Sequence, residues 1–329
     1  MRFVIPARKQ PKIIDAFKAG YETLSRHLYL LLFPILLDIF FLFGKRYLIS
    51  EQIEGFVKSI VLPNSATTEI LESWQELSSS LVETVQHFSL TSFLRTYPIG
   101  TPSLLAHRNL TENPLTAFST SQVTSPWTTI LLVILFSLIG FVYGALFLLV
   151  IRNAVVGKKE TVQKQSLVKD LASLFMIPIV SIIAFIIILL PALLIVSLLN
   201  ALLPIFGSLG YFFLTFMLIS SVIPMIFTPH HILLYGEKFP KSLKESILTV
   251  KPTNAKTSFF ILFGYFATFL TDYLWQIPQD NSWMLLVSIL GHSLVTTIIF
   301  AASFHYYIDA RKSVRESQQF EVPDFGQTS

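Results

Sequence analysis

The stretch 127-WTTILLVILFSLIGFVYGALFLLVI-151 contains no charged residue in 25 positions. As a helix rising ~1.5 Å per residue it runs about 37 Å, more than the roughly 30 Å of a bilayer's hydrocarbon core. Segments 27–44, 171–199, 209–235, 257–277 and 283–308 read the same way, which predicts six transmembrane helices. The composition agrees. The chain has 329 residues, 53% hydrophobic and only 13% charged, with 30 Phe, whereas soluble domains carry roughly 25% charged residues. A soluble enzyme is excluded, and so is a disordered chain, which lacks aromatics and aliphatics. There is no Cys, so disulfides, thiolate metal sites and cysteine nucleophiles are excluded too.

Lys and Arg orient the spans. Segments 1–26, 152–170, 236–256 and 309–329 hold 19 of the 24 basic residues; the other five, Lys45, Arg46, Lys58, Arg95 and Arg108, all lie in 45–126. Both termini are therefore expected in the cytoplasm of a multi-pass plasma-membrane protein. Trp127, Trp275 and Trp283 fall at the expected outer span ends, where indoles favour the headgroup region. The first apolar run leads into Gly44-Lys45-Arg46 rather than a small-residue cleavage site, so it reads as a retained span. The expected order is a cytoplasmic amphipathic helix (1–26), a first span (27–44), an extracytoplasmic helical insertion (45–126) and a second span (127–151). A cytoplasmic loop (152–170), a hairpin of two spans (171–235), a cytoplasmic amphipathic segment (236–256), a second hairpin (257–308) and a cytoplasmic tail (309–329) follow.

Before the first span, Ile13, Ile14, Phe17, Tyr21, Leu24 and Leu28 recur at helical spacing, opposite Lys12, Asp15, Lys18, Glu22 and Arg26. A basic amphipathic helix abutting a span is expected in the membrane interface. In 242–251, Leu243, Ile247 and Val250 mark a second such helix, ended by Pro252; in 166–175, Leu167, Leu171 and Leu174 mark a third that merges into the next span. Lys12, Lys18, Arg26, Lys244 and Lys251 are the expected contacts to anionic lipid headgroups. The unit of surface helix, span, outer loop and span thus recurs. Segments 13-IIDAFKAGYETLSRHLYLLLFPILLD-38 and 242-SLKESILTVKPTNAKTSFFILFGYF-266 carry a loose resemblance to uncharacterised bacterial six-span membrane proteins. The same pattern is similar to the membrane domain of some glycerophosphodiester phosphodiesterases. The resemblance implies architecture alone, because the catalytic domain of those enzymes has no counterpart here.

The outer insertion carries seven Glu against its five basic residues. Ile53, Phe56, Val57 and Ile60 predict a short amphipathic helix stopped at Pro63-Asn64. Ile70, Trp74, Leu77, Leu81, Val85 and Phe88 predict a longer one. Residues 95–126 read as a loop, and Tyr97–Pro102 followed by Ser103-Leu104-Leu105-Ala106 as a turn dipping toward the bilayer. The two helices either cap the spans or offer Trp74, Leu77, Leu81, Val85 and Phe88 as a docking face for a membrane-protein partner. Asn109-Leu110-Thr111 matches the glycosylation pattern, which short sequences match by chance.

Ionisable groups within spans are costly and point to function. Asp38, Asp272 and His292 fall within roughly 6 Å of one depth by helical rise, which suggests a proton or cation site. The plainer reading is two Asp residues bonded to neighbouring backbone, Ser or Tyr. His230, His231 and His305 share a depth at the other end, but adjacent imidazoles diverge by about 100° on a helix, so no metal site is expected. Gly140 and Gly144 form a GxxxG that permits close approach. Pro34, Pro178, Pro191, Pro224 and Pro229 are expected to kink their spans, and the third span has a possible break at Pro191.

No GxxxxGK[ST], HExxH, GxSxG or DxD occurs, so neither an enzyme nor a cofactor is expected. The inner basic residues call for anionic lipid, not nucleic acid. The sequence therefore reads as an all-α integral membrane protein acting as a scaffold, assembly factor or accessory subunit. A small ion- or proton-coupled transporter using Asp38, Asp272 and His292 is the alternative.

Overall fold

The computed structural model describes residues 11–60, 68–106, 108, 110, 112–115, 119–157 and 166–320. The glycosylation pattern (Asn109, Thr111), the Pro63-Asn64 stop and part of the 152–170 loop and of the tail lie outside these residues. The described chain is nearly all helical. In order come α1 (Ile13–Arg26), a 3₁₀ turn (Leu28–Leu31), α2 (Leu32–Phe43), α3 (Ser50–Ser59), α4 (Thr68–Gln86) and a 3₁₀ turn (Leu90–Leu94). Then come α5 (Pro126–Val156), α6 (Leu167–Ala184), α7 (Leu190–Leu202), α8 (Pro204–Met225), α9 (Thr228–Tyr235), α10 (Phe239–Val250), α11 (Asn254–Trp275) and α12 (Met284–Phe320). Strands β1 (Arg46–Leu48) and β2 (Thr120–Gln122) pair in parallel, with Tyr47 opposite Ser121.

Four helical stretches are long and apolar enough to cross a membrane: Pro126–Val156, Leu167–Leu202, Phe239–Trp275 and Met284–Ser317. The pair Ile13–Arg26 and Leu28–Phe43, bent by 95°, makes a fifth if taken together, and Pro204–Ser220 is a shorter apolar helix. Two of the six expected spans therefore differ from the rest. The first is short because 28–31 winds as 3₁₀ and α2 ends at Gly44, before Lys45-Arg46.

Of the five prolines expected to kink their spans, Pro178 lies inside α6, and three lie at or near helix ends. Pro34 lies in the first turn of α2 and Pro229 in that of α9, where a missing N–H has no intrahelical partner to lose. Pro224 falls near the end of α8. Pro191 does not break its span. The helix instead takes a π-helical turn at Phe185–Leu189 just before it, a local widening that accommodates a proline's missing bond.

The chain divides into two compact units, one of Met1–His27, Leu148–Ala267 and Ile298–Ser329, the other of Leu28–Phe147 and Thr268–Thr297. Helices α5, α11 and α12 contribute residues to both. In the first unit, small residues let α1 lie directly on α12: a Cβ added at Gly20 would stand 2.7 Å from the Ala302 nitrogen and the Ile298 oxygen. Phe17 packs between Phe260 and Phe263, each ring centroid 5.0 Å away. Helix α9 is buried from Thr228 to Leu234. Gly236 at φ +63° ends it, a left-handed position that glycine adopts without strain. Helix α10 buries Ser242, Ser246, Thr249 and Val250, so its small hydroxyl face packs inward while Leu243 and Ile247 are half-buried. Helices α7 and α8 pack on each other, and in the apolar window of Leu167–Leu202 no residue is buried.

In the second unit the core joins Leu37, Phe41 and Leu42 of α2, Leu285 and Ile289 of α12, and Leu94, Leu104, Leu105, Ala106 and Leu110 of the segment after α4. That segment, read from sequence as an outer loop, is part of the core. The GxxxG on α5 receives it. A Cβ at Gly140 would stand 2.1 Å from the Leu94 carbonyl oxygen, and one at Gly144 2.4 Å from the Gly100 Cα. Tyr143, between them in sequence, donates to the Phe33 carbonyl at 2.8 Å. The glycines thus admit a loop backbone rather than a second helix.

Replacing Gly140 by Leu therefore has no rotamer that avoids Leu94. It is expected to lower stability by about 1–3 kcal/mol, read as a lower thermal midpoint in detergent. An equal midpoint would show that the loop does not lie on this face.

Candidate functional site

A buried loop must satisfy each backbone N–H and C=O from within the protein. Among the described residues of the loop 99–110, several of those partners can be named. Asp38, fully buried on α2, accepts the Leu104 N–H on Oδ2 and the Leu105 N–H on Oδ1, both at 3.0 Å. The Ser103 hydroxyl donates to Asp38 Oδ1 and accepts the Ala106 N–H at 3.0 Å. The carbonyls are met from the other side. Arg95 donates to the Ser103 oxygen at 3.0 Å, Arg46 to the Leu110 oxygen, and the Arg108 N–H to the Leu105 oxygen at 3.1 Å. The Arg108 side chain pairs with Asp280 at 2.7 Å and also reaches the Pro278 carbonyl, tying the loop to the connection between α11 and α12. Three of the five outer basic residues thus fasten this loop. Burial pushes the Arg46 guanidinium down to about 10 against the pull of Asp280, so it stays charged at neutral pH.

Asp272 and His292 meet: Nδ1 of His292 lies 2.7 Å from Asp272 Oδ1. The His292 side chain is 3% exposed and that of Asp272 26%. His292 also interacts electrostatically with Asp38. The three residues grouped by depth therefore fall in one unit, but with different roles. Asp38 is engaged by three donors, as in the plainer reading, while Asp272 and His292 form their own pair. Near them Ser288, Ser293, Thr296 and Thr297 make a buried polar stripe on α12 that the sequence reading missed. Its signal was a hydroxyl four residues to either side of His292, Ser288 and Thr296, within an apolar run.

The three other histidines do not converge. His230 Nε2 meets the Ser303 hydroxyl at 2.7 Å, and His305 Nε2 the Thr23 hydroxyl at 2.8 Å. His231 lies between Tyr307 (Nδ1 to Oη, 2.8 Å) and Glu237 (Nε2 to Oε2, 3.1 Å). Among the described residues no group of three or more His, Cys, Asp or Glu is arranged to hold a metal. Glu237 also pairs with Lys241 at 2.8 Å, and Arg311 lies 3.6 Å above the Tyr235 ring while reaching Glu245 at 3.3 Å. This network ties α9, α10 and α12 together.

The docking residues of α4 are open in part. Leu77 is 54% and Leu81 42% exposed, and Trp74, Val85 and Phe88 are half-buried. The side chains of Lys12, Lys18, Arg26, Lys244 and Lys251 are all exposed. No protein family, curated protein or solved structure matches the chain.

Two expectations follow. Asp38→Ala strands three buried donors, each at a cost of ~1–3 kcal/mol. Amide exchange at Leu104 and Leu105 is expected to quicken at least about tenfold, while Asp38→Asn, which keeps one oxygen, falls between. The second concerns Glu237, outside the apolar spans. Burial opposes its charge, but hydrogen bonds from Lys241 and His231 prevail and hold its carboxyl below the usual range. A carboxyl lowered by folding stabilises the fold above its ordinary pKa, and that share is lost as the pH falls through the lowered value. Unfolding measured from neutral to acid pH is expected to show a smaller loss of stability in Glu237→Gln than in the natural chain.

Proposed function

We propose that this chain is a six-span integral membrane protein of a bacterial plasma membrane, with both termini cytoplasmic, acting as a non-catalytic scaffold, assembly factor or accessory subunit. The reading takes α2, α5, α6–α7, α8, α11 and α12 as the spans and α1 and α10 as interfacial helices. Its support is the placement of charge: the exposed Lys12, Lys18, Arg26, Lys244 and Lys251 lie on the segments rich in Lys and Arg, suited to anionic headgroups. Helix α12 has 37 residues, about 55 Å at ~1.5 Å per residue, long enough to cross and then carry Arg311, Lys312 and Arg315 beyond the bilayer.

The observation that carries the accessory role is α4. Its polar face bears Glu69, Glu72, Glu76 and Glu83 and no Lys or Arg, while Leu77 and Leu81 stay open. An acidic helix is poorly suited to lie on anionic lipid, so a protein surface is the better cover for those leucines. Proton- or ion-coupled transport is a second reading, favoured by the Asp272–His292 bond and weakened by the engagement of Asp38.

Gentle extraction from the host membrane followed by native mass spectrometry tests this. The natural chain is expected to carry a stoichiometric protein partner. Leu77→Glu with Leu81→Glu is expected to weaken it about tenfold or more, with the thermal midpoint unchanged. A lone chain or homo-oligomer retaining a small molecule would point to transport instead.

A further inference from the structure

An ionised carboxylate only accepts hydrogen bonds, so with Asp272 ionised the 2.7 Å contact to its Oδ1 is made by a proton on His292 Nδ1. In a neutral imidazole that leaves a lone pair on Nε2. This nitrogen is buried without a protein partner, as are the Ser293 hydroxyl, the Thr297 hydroxyl and the Trp275 indole N–H. Trp275 stands close by: its ring lies against Gly291, the residue before His292, so tightly that a Cβ there would come within 2.5 Å. Buried polar atoms are rarely left unmet, and here four of them lie on α12 and at the end of α11.

Charge gives the direction. The charged side chains on the segments of this core are Asp272 on α11, Asp38 on α2, Asp280 between α11 and α12, Arg46 and Arg95 before the loop and Arg108 within it. The three arginines are committed elsewhere, to the Leu110 and Ser103 oxygens and to Asp280. A neutral His292 therefore bonds to Asp272 and lies within electrostatic reach of Asp38. A proton on Nε2 turns the net-negative Asp272–His292 pair into a neutral ion pair and adds a positive charge that Asp38 senses.

We propose that Asp272 and His292 form a proton-binding site: His292 Nε2 takes the proton, Asp272 holds the resulting imidazolium, and Asp38 belongs to the loop fastening instead. The step is simple proton uptake from solvent, with no other bond made or broken. It is independent of the accessory reading.

The test is nitrogen NMR of the full chain in lipid nanodiscs, labelled at histidine. The His292 signals are assigned by their absence from His292→Gln. At about pH 8 the natural chain is expected to show Nδ1 protonated and Nε2 bare, and at about pH 5 both protonated, spanning the range where imidazoles change charge. In Asp272→Asn, Nε2 is expected to stay bare at about pH 5; in Asp272→Glu the uptake is expected to return. An Nε2-protonated tautomer at about pH 8, a bare Nε2 at both pH values in the natural chain, or uptake unaltered in Asp272→Asn would each overturn the proposal. Should Asp272→Asn not fold, the natural chain's tautomer and its change with pH decide alone.

Discussion

A single carboxylate makes the second unit possible. Among the described residues of 99–110 no helix or strand pairs the backbone, yet Ile99, Leu104, Leu105 and Leu110 are buried. Two consecutive amides and one hydroxyl converge on Asp38, whose two side-chain oxygens accept all three. Buried irregular backbone is tolerated where the protein itself supplies the partners. Asp38 supplies them for the Leu104 and Leu105 amides. Arg95 and Arg46 meet the Ser103 and Leu110 carbonyls.

The neighbouring elements follow from this. Helix α5 yields to the loop at Gly140 and Gly144, because any side chain there would strike backbone. The pair of strands, Arg46–Leu48 and Thr120–Gln122, closes the two ends of the excursion, and Gln52 of α3 reaches the Val123 carbonyl and, at 2.7 Å, the Thr129 hydroxyl. Helix α4, packed on α3, leaves Leu77 and Leu81 open. In the first unit polar contacts do the corresponding work through side chains, with His231 bridging Tyr307 and Glu237.

Much of the helical framework was legible from apolar run length and periodicity. Four of the long apolar runs are long helices, and α1, α3 and α4 lie where the apolar spacing falls. The turn at 97–102 was read from its prolines and glycine, and the Leu104-Leu105 segment after it is buried in the core. What was not legible was its partner, because Asp38 and Ser103 lie 65 residues apart and no local pattern links them. The GxxxG signal was real but ambiguous, since small residues admit a loop as readily as a helix. Depth arithmetic brought Asp38, Asp272 and His292 together but not their separate roles, which depend on which face each side chain takes. Prolines misled for a similar reason: three of them fall at or near helix ends, where they cost little.

The absence of cysteine makes the central claim, that Asp38 holds the loop inside the protein, open to one clean measurement. A single cysteine is placed at Leu105 or, as an exposed control, at Ser79, and both are challenged with a membrane-impermeant maleimide on the intact membrane. Leu105→Cys is expected to resist labelling while Ser79→Cys reacts, and to become reactive when Asp38 is also changed to Ala. Labelling of Leu105→Cys as fast as the control, with Asp38 intact, would contradict the account.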